Sequence, residues 1–236
     1  MPSLESNSSQ RSVWRLILER ATANAGLKLI LTIVGVAVFL PIYLGIQRIN
    51  ADTDYHTLPL WFIDTAIPFD PSWVWIYVSQ YVIIPAVPLV AWKREQLWRL
   101  ISALAIVSFI GFAIFLIYPV ACPRPSAEVI EQANPNFLFR WIIAVDTTGN
   151  AFPSLHMGLA GVAAFLAPRV FDEAYGRRLR IVMIAFVWVW TMLILYSIVA
   201  TRQHYFADGV AGLALAYIGH RIAWWSADRK TKEQLN

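Results

Sequence analysis

His204 and Asp208 stand four residues apart in the stretch "ATRQHYFAD" (200–208). If that stretch is helical, both side chains share one face. A carboxylate there accepts the imidazole Nδ1–H, fixes the tautomer and leaves Nε2 basic enough to act as a nucleophile. The competing reading is a His–Asp pair that only caps a helix. A second histidine, His156, lies in "AFPSLH" (151–156), behind Pro153 and Ser154. Proline favours a helix start, and serine satisfies backbone amides at that end. An imidazole one turn into such a helix sits beside unpaired N–H groups that attract an anion, and it can protonate a departing oxygen. Taken alone, such a residue is more often just an interfacial histidine.

Arg124 in "ACPRPS" (121–126) and Arg202 bring planar forks that match phosphate oxygens, unless they snorkel to lipid headgroups. Together His156, His204, Asp208, Ser154, Arg124 and Arg202 describe phosphoryl transfer with no metal: a nucleophile, an acid and anion clamps. No cofactor is implied, because no further carboxylates or histidines have metal-ligand spacing. The single cysteine, Cys122, excludes an internal disulfide and reads as incidental.

The elements that must position these residues are membrane helices. Of 236 residues, 58% are hydrophobic and 14% charged, well below the charged share of a soluble domain. Apolar runs long enough to cross a bilayer recur at about 29–47, 73–91, 99–119, 153–168, 181–200 and 208–225, the fourth being short. The chain therefore reads as an all-α, polytopic membrane protein, a six-helix bundle over 29–225. An N-terminal segment (1–28) and a tail (226–236), both cytoplasmic, flank it. The segment "RSVWRLILER" has no small-residue cleavage site after it and is not a removable signal. It suits either a short helix on the membrane surface or a frayed tail.

With the N-terminus inside, 15 of the 19 Lys and Arg fall on the inner side; only Arg48, Arg124, Arg140 and Arg202 fall outside. The positive-inside rule then sets an N-in, C-in topology and explains the net charge of +4 without nucleic acid. It also gathers the three polar segments at the outer helix ends, away from the cytoplasm. A plasma or inner membrane is the expected location. Ser79, Gln80 and Tyr81 break the second run with polar atoms suited to interhelical hydrogen bonds or to headgroup contact. The sequence alone suggests no catalytic role for His56 or His220. The loop 126–150 mixes turn signals with the apolar "FLFRWII", as a lid or re-entrant segment would.

In order, Arg124-Pro125, Pro153-Ser154-Leu155-His156 and Ser197 with His204 and Asp208 resemble the type 2 phosphatidic acid phosphatase superfamily of six-span lipid phosphatases and phosphotransferases. Its common pattern is K-x6-R-P, P-S-G-H and S-R-x5-H-x3-D, and the likeness covers roughly 70–225. Ile117 stands where that pattern has lysine, Leu155 where it has glycine, and Ile198 where it has the third-motif arginine. "PSLH", the basic residue in "RQHY" and "FDPSWVWIYVSQY" (69–81) look more like the branch of inositol phosphorylceramide and sphingomyelin synthases. The resemblance implies His204 as the phosphohistidine-forming nucleophile oriented by Asp208. It implies His156 as acid and then base, with Arg124, Arg202 and Ser154 on the phosphoryl oxygens. The implied substrate is a lipid phosphate or phospholipid in the bilayer, with water or a lipid alcohol as acceptor. The alternative is a non-catalytic lipid-binding protein or transporter, which would not require the His–Asp spacing.

Overall fold

The computed structural model describes residues 13–122, 124–146 and 148–235, without the side chains of Glu173 and of 226–235. Residues 1–12 of the expected N-terminal segment, and Asn236, lie outside the described residues. Among those described, the chain is helical, with one isolated bridge pairing His56 and Val120 and no strand. Its helices are α1 (Val13–Thr22), α2 (Ala25–Asn50), α3 (Phe62–Ala66), α4 (Val74–Val90), α5 (Arg94–Ile117), α6 (Ala127–Gln132), α7 (Phe137–Val145), α8 (Leu155–Val170), α9 (Arg177–Ala200) and α10 (Phe206–Leu235). Helices stand at all six apolar runs. Four are long and apolar enough to cross a membrane: Ala25–Asn50, Pro71–Val90, Arg94–Ile117 and Arg177–Ala200. The apolar α8 has 16 residues. α10 does not stop near residue 225 but continues through the expected tail to Leu235.

α8 is the centre of the molecule. Leu155, Met157, Ala160, Val162, Ala164, Leu166 and Val170 are buried around its whole circumference, against α4, α5, α9 and α10. Such a helix needs small residues where backbones approach, because lipid offers no hydrophobic drive for close packing. Gly158 and Gly161 provide this toward α5 and α10. On α10, a Cβ at Gly212 would lie 2.2 Å from the Ser154 carbonyl oxygen. α2, by contrast, turns Leu29, Ile30, Ile33, Val34 and Val38 outward, as a helix at the lipid boundary does.

The end of the bundle at α1 is closed by charge. The Arg20 guanidinium bonds both carboxylate oxygens of Asp172 at 2.8 and 3.0 Å and lies over the rings of Tyr175 and Trp92. The ammonium of Lys28 caps the end of α1 through the carbonyls of Arg20 (2.5 Å) and Ala21 (3.2 Å) and reaches Leu89 (3.0 Å). A cation at a helix C-terminus meets unpaired carbonyls and the negative dipole end. These bonds fix α1 against the bundle, with Trp14 and Leu18 on its exposed side.

At the opposite end, the stretch between α5 and α8 contains α6 and α7. Ser126 and Asn136 cap them, their side-chain oxygens accepting from Val129 N (3.4 Å) and Phe139 N (3.0 Å). α7 is amphipathic: Phe139 and Ile142 are buried beside Tyr77 of α4, while Phe137, Trp141 and Val145 face outward. It delivers Asp146, just past its last turn, to the bundle.

Candidate active site

His204 owes its position to the way α9 ends. The amide of Arg202 bonds Val199 O at 3.0 Å and that of Gln203 bonds Ile198 O at 3.0 Å, the two hydrogen bonds of a Schellman turn. Such a turn needs one left-handed residue, normally glycine; here it is Arg202, at φ +54. That conformation costs about 1–2 kcal/mol for an L-residue. The side chain offsets it, donating to the carbonyls of Asp64 (2.9 Å), Ile67 (2.8 Å) and Val199 (3.2 Å). The chain reverses, and His204 comes down into the bundle, 6% exposed.

The partner of His204 Nδ1 is the Ala151 carbonyl, 2.9 Å away. A carbonyl only accepts, so Nδ1 carries the proton and Nε2 is bare in the neutral ring. Ala151 is held in turn, its amide donating to Val120 O at 2.9 Å. Asp208 does not take the Nδ1–H as the sequence spacing predicts. α10 begins only at Phe206, so His204 lies ahead of the helix and the two side chains do not share a turn. Asp208 Oδ2 accepts instead from Tyr205 N at 2.9 Å, as a capping carboxylate, and stands 3.5 Å from Nδ1. Its charge is beside the ring; its hydrogen bond is elsewhere.

His156 is the second residue of α8. Ser154 is the N-cap, as its type predicts, accepting from Met157 N at 3.4 Å, and its own amide donates to Asp208 O at 3.0 Å. The two imidazoles touch: His156 Nδ1 lies 3.0 Å from His204 Nε2. On its other side, His156 Nε2 meets the hydroxyls of Tyr77 at 2.8 Å and Tyr81 at 3.2 Å.

Arg124 terminates α7. Its guanidinium donates to Ile143 O at 2.7 Å and Asp146 O at 2.5 Å, carbonyls that the helix end leaves unpaired, and more weakly to Gln203 Oε1 at 3.4 Å. Burial pulls its pKa below the ordinary value and nearby Asp146 pulls it back; an arginine stays charged throughout. Among the described residues, neither Arg124 nor Arg202 hydrogen-bonds an imidazole. The structure thus joins His156, His204, Asp208 and Ser154 directly. Arg124 flanks them through Gln203, and Arg202 is anchored on the α3 side.

Four further residues join the site: Tyr77, Asp146, Tyr43 and Gln47. Tyr77, fully buried, reaches from His156 to Asp146 Oδ2 at 3.3 Å. Asp146 Oδ1 accepts from Tyr43 Oη and Gln47 Nε2, both at 2.9 Å. The signal was present in the i, i+4 pairs Tyr43/Gln47 and Tyr77/Tyr81, polar pairs on otherwise apolar helices. Of the polar break in α4, Tyr81 crosses to α8 and Ser79 accepts from Trp190 Nε1 of α9 at 2.9 Å, as interhelical bonding requires. His56 stacks on Tyr118, and His220 on Trp224, both away from these contacts.

Residues 56–222 match the PAP2 superfamily. The chain belongs to the PAP2 superfamily. No curated protein and no solved structure matches it. Membership and the four long apolar helices make it an integral membrane protein of phosphatase or phosphotransferase type.

Within the PAP2 frame the departures have structural reasons. Ile117, in the lysine position, ends α5 with 82% of its surface exposed, pointing outward where an apolar residue suits lipid. Leu155 is 5% exposed and packs on Gly111, where a Cβ would come within 2.6 Å of its side chain. Ile198 is fully buried, and its carbonyl closes the turn to Gln203 and His204. Cys122 packs in a buried cluster with Val120, Ala151 and Tyr205. Burial, reinforced by the charges of Asp208 and Asp64, pushes its thiol up to about 12. Only the thiolate is nucleophilic. Iodoacetamide at pH 8 is therefore expected to leave Cys122 unmodified in the folded protein and to label it in dodecyl sulfate. Equal labelling in both conditions would contradict the buried placement.

Proposed function

We propose that this chain transfers a phosphoryl or phospho-headgroup from a membrane lipid through a phosphohistidine on His204. The observation that carries the reading is the fixed tautomer of His204. Ala151 holds Nδ1–H, Nε2 is left as the attacking nitrogen, and Nε2 points at the second histidine. His156 then acts as the acid that protonates the leaving oxygen and as the base that deprotonates the acceptor. Asp208, 3.5 Å from Nδ1, opposes the positive charge that develops on His204. Arg124 and Arg202 hold the phosphoryl oxygens with the amides of the α8 N-terminus, which Ser154 shapes. The two rings must part to admit phosphorus, since 3.0 Å leaves no room for it.

Headgroup transfer is favoured over release of phosphate. A monoester dianion calls for more cations than a diester. Here the lysine position is an outward-facing isoleucine, and both arginines already serve backbone carbonyls. This is also what the likeness to inositol phosphorylceramide and sphingomyelin synthases implies. The test is purified full-length protein with labelled phospholipids and lipid phosphates, in EDTA, with and without diacylglycerol or ceramide. Product that appears only with a lipid alcohol is expected. Free phosphate released without an acceptor would make the chain a phosphatase, and turnover that EDTA abolishes and a divalent ion restores would refute the metal-free chemistry.

The same reading has six spans, with α8 and α10 crossing alongside the four longer helices, both termini inside and the histidines on the outer side. The asymmetry of Lys and Arg supports it. A reporter active only in the cytoplasm is expected to work when fused at Asn236 and to stay silent when fused after Gln132. The reverse pattern would place the chemistry on the cytoplasmic leaflet.

A further inference from the structure

His156 is held from both sides, and the direction of each hydrogen bond can be worked out. His204 Nδ1 must donate to Ala151, so its Nε2 is bare. Two bare nitrogens cannot meet at 3.0 Å, so a proton lies between them, on His156 Nδ1 in the resting state. On the far side the order of groups is His156 Nε2, Tyr77 hydroxyl, Asp146 carboxylate, at 2.8 and 3.3 Å. A carboxylate only accepts. In the neutral resting ring Nε2 accepts from Tyr77. When a second proton makes His156 an imidazolium, Tyr77 accepts from Nε2–H and donates to Asp146, and the chain runs in one direction without a broken link. Nδ1 then carries the proton to be given.

Arg124 lies near enough to feel the charge of Asp146, but among the described residues no cation hydrogen-bonds the Asp146 carboxylate. That carboxylate is met by three neutral donors, Tyr43, Gln47 and Tyr77, while Arg124 bonds the residue's backbone carbonyl instead. A part-buried carboxylate held this way directs its charge along the phenol to the imidazole, much as a triad aspartate supports its histidine.

We propose that Tyr77 and Asp146 are positioning residues for His156, holding Nε2–H toward Tyr77 so that Nδ1 is the nitrogen that gives and takes the reaction proton. The proposal rests on the phosphohistidine reading above. In the first half-reaction His204 Nε2 attacks phosphorus, the bond from phosphorus to the leaving oxygen breaks, and the Nδ1 proton of His156 goes onto that oxygen. In the second, the acceptor hydroxyl gives its proton to Nδ1 as its oxygen bonds phosphorus. The phosphorus–nitrogen bond breaks and its electron pair returns to Nε2 of His204. Nε2–H of His156 stays bonded to Tyr77 throughout. Groups facing His156 from the surrounding elements are Tyr77 and Tyr81 of α4, His204 with Asp208 behind it, and Asp146 with Tyr43 of α2 beyond it.

The experiment uses the full chain in vesicles, with Tyr77→Phe and Asp146→Asn compared by pH–rate profile and by leaving group. Tyr77→Phe keeps the buried ring and removes only the bridging oxygen, so it carries the comparison if Asp146→Asn fails to fold. For a lipid alkoxide leaving group, the first step should fall roughly tenfold to a hundredfold, a part of what acid catalysis is worth. The alkaline limb of the profile should move to lower pH, because the protonated form of His156 loses its support. For an activated aryl phosphate, which departs without a proton, phosphoenzyme formation should be near wild type. Equal losses for both esters with an unmoved alkaline limb would overturn the proposal and leave the cluster as a tie between α2, α4 and α7. Wild-type protein that forms no acid-labile phosphohistidine with an ester it binds would overturn the underlying reading as well.

Discussion

His204→Ala is expected to leave no covalent phosphoenzyme with any ester, while His156→Ala accumulates one. Removing His204 deletes the group whose bare nitrogen, fixed by the Ala151 carbonyl, faces the second histidine. No leaving group, however good, compensates for a missing nucleophile. Removing His156 deletes proton transfer alone, worth about 10²–10⁴-fold. A lipid alkoxide loses that factor in the first step. An activated aryl phosphate does not, so its first step survives while the second, which needs a base for the acceptor, stays slow. Acid-labile label trapped on His156→Ala with the aryl ester, and absent from His204→Ala, is the expected pair of results. Label on the His204 variant, or on neither when binding is shown, would refute the assignment. The alanine variants also separate the rings, so both are to be checked for folding by thermal unfolding in the same detergent.

Asp208→Asn should cost roughly 10²-fold in turnover, less than the ~10⁴ known where an aspartate is the sole partner of a catalytic imidazole. The reason is the division of labour at His204. In a conventional triad the amide substitution lets the imidazole settle in the wrong tautomer. Here the Ala151 carbonyl keeps Nδ1–H whatever residue 208 is, so the loss measures charge alone. The carboxylate, wholly buried 3.5 Å from Nδ1, balances the charge of a phosphorylated imidazole, and an amide does not. An oriented asparagine still caps Tyr205 N through its oxygen, so unfolding temperature should change little. Unchanged turnover would reduce Asp208 to a helix cap. A loss as large as that of His204→Ala would mean that the carboxylate, not Ala151, sets the tautomer.

Residue types and spacing made the histidines, the Ser154 cap and the apolar runs legible, because each depends on local periodicity or on local hydrogen-bond chemistry. The spacing places Asp208 beside His204, as found at 3.5 Å, but not the Nδ1 hydrogen bond, which goes to Ala151 for a physical reason. Four-residue spacing implies a shared face only inside a helix, and α10 starts two residues too late. Nothing local announces that start, because the left-handed turn that delays it carries Arg202 instead of glycine. Asp146 was hidden differently. It lies in a stretch read as a loop, and its meaning comes from Tyr43, Gln47 and Tyr77, which are 69 to 103 residues away along the chain. The outward direction of Ile117 likewise needs the bundle, since a sequence shows the missing lysine but not which way its replacement points.

Both arginines of the site are held by main-chain oxygens: Arg124 by Ile143 and Asp146, Arg202 by Asp64, Ile67 and Val199. Every residue type supplies the same carbonyl. The side chains at Ile67, Ile143 and Val199 can therefore be exchanged through mutation without loosening either guanidinium, provided the path of the backbone is kept. Under the proposed role of these arginines, selection acting on the lipid that is recognised is in this way decoupled from the grip on phosphate, and the loops around the site can drift toward new headgroups while the cationic frame stays in place.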